Sequence, residues 1–335
     1  MSRRVLAAPA LALMLLSFAC VDGSETGPLT IYSGREEELV GPLIERFEDS
    51  SGLEVDVRYG DTAELANQII EEGDNSPADV FWAQDAGALG AVAKEGLFAE
   101  LPESSLDAVP AAYRSVDDHW VGTSGRARVL VYNTDEVTES ELPDSVLDLD
   151  DAAWKGRVGW APTNGSFQAF VTALRTVEGE GAAKGWLEGM AANDTRSYDG
   201  NSAIVQAVAS GEIDTGLVNH YYVLEMGKED ESVKENAANH FFGDGDVGSL
   251  VNAAGVGILE SAPNAEDAQA FVDFLLSRDA NEYFDEEVYE YPLAADLPTP
   301  QGLPRLESLE QPDVDLSDLD DLQGTLDLLR ETKVI

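Results

Sequence analysis

From Leu29 onward the chain alternates short apolar runs with stretches of helical spacing. Leu29-Thr30-Ile31-Tyr32 is β-prone and ends at Ser33-Gly34, after which Leu39, Val40, Leu43, Ile44 and Phe47 recur at intervals that put them on one helical face. Leu53, Val55, Val57 and Tyr59 alternate as a half-buried strand does, and Asp61 with Glu64 opens a helix that closes at Gly73. Asp79-Val80-Phe81-Trp82 reads as the next strand, followed by a helix through Leu89 and Val92 that stops before Gly96. Strand, turn and helix repeated three times predict an α/β unit with a largely parallel sheet.

The second half carries the same signature. Val129-Leu130-Val131-Tyr132 is a strand, Asn164-Gly165-Ser166 opens a helix with Phe167, Phe170, Val171 and Leu174 on one side, and Asn201-Ser202 opens another that stops at Gly211. A strand over 213–218 ends in Asn219-His220-Tyr221-Tyr222; another over 254–259 precedes a helix capped by Asn264. The 335 residues are long for one core and comfortable for two. In open α/β sheets, binding residues gather beyond the carboxyl ends of the strands. Ser33-Gly34-Arg35-Glu36, Gln84-Asp85, Asn164-Gly165-Ser166, Asn201 and Asn219 to Tyr222 all fall at such positions, in both halves of the chain.

The N-terminus has a different pattern. Arg3 and Arg4 precede an apolar run from Val5 to Phe18, too short to span a bilayer, and a polar segment follows: an export signal. Cys20, the sole cysteine, stands directly after Ala19 as in a bacterial lipobox, which makes it the expected lipid anchor of a lipoprotein. Ordinary cleavage after Ser17-Phe18-Ala19 is the alternative and leaves Cys20 a free thiol. Either way, no disulfide and no cysteine metal cluster can form within the chain.

Composition narrows the class. Lys plus Arg number 20 against 65 Asp plus Glu, a formal charge of −45, which excludes a nucleic-acid binder. With 44% hydrophobic residues the chain still has the material for a packed interior. His119, His220 and His240 are dispersed, so a histidine zinc site is not expected. There is no Gly-x-Ser-x-Gly elbow, P-loop or His-Glu-x-x-His, and no enzyme is expected.

Tyr221 and Tyr222 carry the sharpest chemistry. Neighbours on a regular strand point to opposite faces, so they serve one site only at a strand end or first helical turn. Phenolates are hard anionic ligands suited to a trivalent cation. Around this pair, Leu29-Thr30-Ile31-Tyr32-Ser33-Gly34-Arg35, Ser76-Pro77-Ala78-Asp79-Val80-Phe81, Ser124-Gly125-Arg126-Ala127-Arg128-Val129, Pro162-Thr163-Asn164-Gly165, Gly211-Glu212-Ile213-Asp214 and Glu290-Tyr291-Pro292-Leu293 follow in order. Together they resemble the ferric-ion-binding proteins of ABC iron uptake over residues 29 to about 295.

The resemblance implies a two-lobed periplasmic-binding-protein-like α/β fold, each lobe a mostly parallel sheet flanked by helices, with the ligand cleft between lobes. The expected division is a signal peptide over 1–20, a tether over 21–28, one lobe over 29–125 and 251–300, and the other over 126–250 and 301–335. Hinge strands are expected near 124–128 and 248–252. The implied cargo is Fe3+ with a small synergistic anion such as phosphate or carbonate. The implied partner is an ABC permease, and the implied state is a monomer anchored outside the cytoplasmic membrane.

Carried over by position, Tyr221 and Tyr222 are the metal ligands, and Asn164, Gly165, Ser166, Asn201 and Asn219 hold the anion. Many relatives have His where this chain has Glu36 and Glu where it has Gln84; Glu36 remains a candidate ligand through its carboxylate. Asp85 reads either as a substitute carboxylate or as the cap of the following helix. Among Arg35, Arg126 and Arg128, Arg126 and Arg35 are candidates to hold the anion, against surface ion pairing. Two other readings stay open: a binder of an organic anion or phosphonate using Arg35 and the Asn164 turn, and a secreted hydrolase using Glu36 and Asp85.

Overall fold

The computed structural model describes residues 27–294, 299 and 302–335. The export signal, Cys20 and most of the tether lie outside the described residues. In chain order the elements are β1 (Leu29–Ser33), α1 (Glu37–Ser51), β2 (Val55–Tyr59), α2 (Thr62–Glu72), β3 (Val80–Ala83), α3 (Ala86–Lys94) and α4 (Glu103–Leu106). Then come β4 (Val121–Asn133), β5 (Val158–Trp160), α5 (Gly165–Glu178), α6 (Glu180–Ala192), β6 (Arg196–Ser197), α7 (Asn201–Ala209) and β7 (Thr215–Asn219). The chain finishes with α8 (Tyr221–Glu229), α9 (Glu231–Asn236), β8 (Ala237–His240), β9 (Val251–Ile258), α10 (Ala265–Leu275), α11 (Arg278–Glu286), β10 (Tyr291–Pro292) and α12 (Leu322–Glu331).

The strands follow the order β2-β1-β3-β9-β4-β7-β5-β6, with β8 and β10 also pairing on β4. β1 pairs parallel with β2 and β3, and β5 parallel with β6 and β7. β4 and β9 run antiparallel to their neighbours, so each half is a mixed rather than a mostly parallel sheet. The cause is β4 itself. Residues 121–127 pair with β9, and residues 128–133 continue into the other half, pairing with β7 and β8. Apolar spacing marked only the end, 129–132, because Gly122 to Arg128 is polar and glycine-rich; the expected hinge strand over 124–128 is continuous with it, and all of β4 is buried.

The helices bury the faces that their spacing foretold. In α1 these are Val40, Leu43, Ile44 and Phe47; in α5, Phe167, Phe170, Val171 and Leu174. Three side chains cap helices near the strand ends: Asp61 accepts from Ala63 N–H and Glu64 N–H, Asp85 from Ala88 N–H, and Asn164 from Ser166 N–H. Asp85 thus takes the capping role.

The C-terminal segment touches both halves. Its 316–319 turn lies on α3, where a Cβ on Gly87 would meet the Leu319 carbonyl oxygen at 2.2 Å. Lys94 at the end of α3 pairs with Asp320 at 2.8 Å, while Arg175 of α5 pairs with Asp321 at 2.7 Å. α12 then packs on α5, with Thr172 and Thr325 hydroxyls 2.7 Å apart. Among the described residues, no helix is long and apolar enough to cross a membrane.

Candidate functional site

β7 ends at Asn219, and the chain turns directly into α8, so Tyr221 and Tyr222 occupy the first helical turn. There the two rings stack, with centroids 4.3 Å apart and 26° between planes. This is the convergence that a regular strand forbids. Tyr221 is buried and Tyr222 half-buried. Burial lifts the Tyr221 phenol well above its ordinary range, Tyr222 and Glu290 add to the effect, and Arg126 opposes it.

Beside the tyrosines stands a polar cradle. Asn164 Oδ1 accepts from Ser166 N–H at 3.1 Å and from the Ser166 hydroxyl at 2.6 Å, with Asn201 Nδ2 at 3.4 Å. The fourteen-residue helix α5 begins here, so its first N–H groups and its dipole favour an anion. From β4, Arg128 reaches the same place. It donates to Asn219 Oδ1 at 3.4 Å, to the Ser166 hydroxyl at 3.5 Å and to the Leu217 carbonyl at 3.1 Å, and lies over the rings of Phe167 and Phe170. Burial pulls its guanidinium down to about 9, with the tyrosines opposing.

A small pocket is lined by Arg126, Arg128, Ser166, Phe170, Asn219, Leu250 and Asn252, drawn from β4, α5, β7, β9 and the residue that precedes β9. Arg126 Nε, Arg128 Nε, Asn201 Oδ1 and Asn252 Nδ2 are buried without a partner. A buried polar group without a bond is costly, so these orphaned atoms mark the place as built for a polar guest.

The first-half candidates divide. Arg35 is 1% exposed and donates to both carboxylate oxygens of the fully buried Glu290 at 3.0 Å, so its charge is engaged inside the protein and neither faces an anion nor forms a surface pair. Arg126 lies 4.0 Å from Glu290, and its Nη2 donates to the Gln84 carbonyl. With the Gln84 amide turned to satisfy both neighbours, its nitrogen donates to the Gly34 carbonyl and its oxygen accepts from Arg126 Nη1, each at 3.2 Å. Glu36 precedes α1, is exposed, and makes no capping bond. It lies on the tyrosine side: the Glu225 carboxyl on α8 is pushed up first by desolvation and then by the charge of Glu36. Among the described residues, no three His, Cys, Asp or Glu side chains gather in a metal-binding group.

Three residues that sequence reasoning did not assign to the site belong to its surroundings. Glu290 also accepts from the Ser124 hydroxyl, and although burial pushes its carboxyl up, Arg35 and Arg126 pull it below the usual range. Its place in Glu290-Tyr291-Pro292-Leu293 was the available signal. Asn252 accepts from Ala86 N–H at 3.3 Å and bears an orphaned Nδ2; it ends the hinge segment expected over 248–252, which was not assigned to the site. His220 is buried, with both ring nitrogens engaged by the Ala127 N–H and the Tyr289 carbonyl.

Two halves sharing a through-running strand, with orphaned polar groups at their junction, define a solute-binding protein. Residues 75–315 match the bacterial extracellular solute-binding protein family, and the chain belongs to it. The Fe(3+)-binding periplasmic protein of Serratia marcescens is 34% identical over 91% of this chain and 90% of its own. The major ferric iron-binding protein of Neisseria meningitidis serogroup B is 33% identical, covering 90% and 92%. Among solved structures, iron-bound HitA from Pseudomonas aeruginosa is 34% identical with a TM-score of 0.84, covering 91% of this chain and 99% of its own. Trichodesmium FutA with iron and citrate is 32% identical with a TM-score of 0.79, covering 91% and 99%.

Proposed function

We propose that this protein captures ferric iron outside the cytoplasmic membrane and hands it to an ABC permease. The observation that carries the reading is the stacked Tyr221–Tyr222 pair at the start of α8. Its two phenol oxygens supply the hard anionic donors that a trivalent cation prefers. Glu36 is the carboxylate that completes the protein's share. A small oxyanion, phosphate or carbonate, is held beside the metal by Asn164, Gly165, Ser166, Asn201 and Asn219, with Arg126 nearby. Arg35 serves through Glu290 instead of touching the anion. Relatives named for ferric iron, one solved with iron and one with iron and citrate, support this reading.

The working form is a monomer with Cys20 as its lipid anchor. One lobe comprises 29–125 and 251–300, and the other 126–250 with 301–335; the last segment also packs on α3. The chain binds and delivers; it does not turn its ligand over.

The test is titration of apo-protein with a ferric chelate while following visible absorbance. Wild-type protein develops a phenolate-to-iron charge-transfer band. Tyr221→Phe and Tyr222→Phe each keep the ring volume and the fold while losing affinity and colour together. Wild-type affinity and absorbance in both variants would overturn the assignment and favour an organic-anion ligand.

A further inference from the structure

The last part of the chain crosses the junction between the halves twice, and at each crossing adjacent residues grip opposite sides. At the first, Glu310 accepts from Asp244 N–H at 2.7 Å and Gln311 donates to the Tyr113 hydroxyl at 2.6 Å. Asp244 follows β8, in the half built on β5–β7. Tyr113 belongs to the half built on β1–β3, since its neighbour Arg114 bridges to Val121 at the start of β4. At the second crossing, Asp320 pairs with Lys94 of α3 at 2.8 Å and Asp321 with Arg175 of α5 at 2.7 Å.

The second crossing has more than ion pairs to hold it. On α3, Gly87 and Gly90 stand about one turn apart, and the carbonyls of Leu319 and Ser317 lie where a Cβ on each would sit. The backbone of the segment therefore rests on the helix with no side chain between them. On α5, Arg175 also donates to the Asp321 carbonyl and to the Thr325 hydroxyl, each at 2.9 Å, and Thr325 meets Thr172 at 2.7 Å with both buried.

Neighbouring Cα atoms are only about 3.8 Å apart. Anchors on Asp320 and Asp321 leave almost no slack, and the halves cannot part at this place without breaking one of them. The two helices so joined are also those whose N-terminal ends reach the site. α3 begins after Gln84 and Asp85, with Ala86 N–H on Asn252, and α5 begins at the Asn164–Ser166 turn. Lys94 and Arg175 stand in the last turns of these helices, so the segment ties their far ends together.

We infer that the C-terminal segment over 310–325 is a preorganising strap, which holds the apo-protein to a narrow range of openings and so favours closure on the cargo. Without it, the halves are joined by β4 and the lead into β9, side by side where Arg128 N–H meets the Leu250 carbonyl at 2.9 Å. Two adjacent strands can twist as well as bend. An apo-protein spread over many openings loses more entropy on closing, so a strap raises affinity without touching the ligand. The affinity argument rests on the ferric reading above; the range of openings does not.

The experiment measures the separation of the halves by double electron–electron resonance. Spin labels are placed at Asp49→Cys on α1 and Ala191→Cys on α6, both exposed, in a Cys20→Ala background. Gly87→Ala loosens the α3 side of the strap and Arg175→Gln the α5 side. Glu282→Gln, which removes an exposed pair within α11, is the control. Each protein is measured apo and loaded with ferric citrate, and competition with a chelator gives the iron affinity.

The expected result is a broader apo distance distribution in both strap variants, with the iron-loaded distribution unchanged from wild type. Iron affinity falls about fivefold in each, the factor that one lost hydrogen bond carries. Apo distributions matching wild type in both variants overturn the inference, whatever the loss of thermal stability. Equal broadening in the iron-loaded proteins, or in Glu282→Gln, also overturns it, since the disturbance then lies outside the strap's hold on opening. A wild-type protein that binds no iron overturns the ferric reading and leaves the apo distances to decide the strap.

Discussion

Glu290→Gln isolates charge from shape in the most buried part of the site. Glu290 is fully buried and Arg35 and Arg126 are 1% and 2% exposed, so water screens none of the three. At an effective dielectric of about 20, a carboxylate 3.0 Å from one guanidinium and 4.0 Å from another gains roughly 5 and 4 kcal/mol. The repulsion between the two arginines and the cost of stripping three ions of water offset most of that sum. Removing the carboxylate leaves the arginine repulsion and the desolvation of both guanidiniums in place, and a net loss of about 3 kcal/mol is expected. The exposed pair Arg278–Glu282, at 67% and 45% exposure, serves as the control, and its Glu282→Gln variant loses about 0.5 kcal/mol or less.

The assay is urea unfolding of the apo-protein at several pH values, analysed as a linear dependence on denaturant. The sign of the pH dependence follows from the native carboxyl being held below its ordinary value. Its stabilisation is complete above the unfolded pKa of about 4.3 and fades as pH falls through the lower native value. Wild-type and Glu290→Gln curves therefore converge in acid. A loss below about 1 kcal/mol at neutral pH, or a gap that stays constant into acid, refutes the charge-based reasoning.

Replacing Asn164 and Ser166 together with Ala should weaken iron retention mainly in buffers that supply phosphate or carbonate; competition against a chelator with and without the anion checks this. Because burial raises the Tyr221 phenol, it is protonated before iron arrives and its proton must leave. Iron affinity should thus fall by roughly tenfold per pH unit for each proton released, which potentiometric titration reads directly. Gly87→Ala sets a methyl 2.2 Å from the Leu319 carbonyl oxygen and should cost about 1–3 kcal/mol in thermal unfolding, as the C-terminal segment lifts from α3.

Periodicity made the βα units and the burial of α1 and α5 legible, because local spacing dictates which face meets a sheet. It marked only the apolar end of β4, and although a hinge strand was expected over 124–128, the partners that bury Arg126 and Arg128 there, Glu290 far away in sequence and Asn219 on β7, have no local signal. The tyrosine pair was legible as chemistry, but its geometry depended on where β7 stops and α8 starts. The hinge strand expected over 248–252 reached Asn252, but its bond to Ala86 and its place in the pocket arise only from elements distant in sequence. The order of Glu290 and Arg35 in space likewise has no local signature: 255 residues separate them.

The exchange of a carboxylate for Gln84 acquires a meaning once the charges are gathered. On the proposed ligand set, two phenolates and Glu36 bring three negative charges to a trivalent cation, which is neutrality before any anion arrives. A further carboxylate at position 84 would lie beside Arg126, whose Nη1 faces the Gln84 amide oxygen at 3.2 Å. It would compete with Glu290 for that guanidinium and load excess negative charge onto the metal. The neutral amide instead leaves Arg126 shared between Glu290 and the Tyr221 phenol. The charge of the oxyanion then falls to Arg128, which lines the same pocket as Arg126, and to the N-terminus of α5. Gln84, Arg126 and Glu290 thus form one electrostatic unit, and a change at any of them alters what the other two must neutralise.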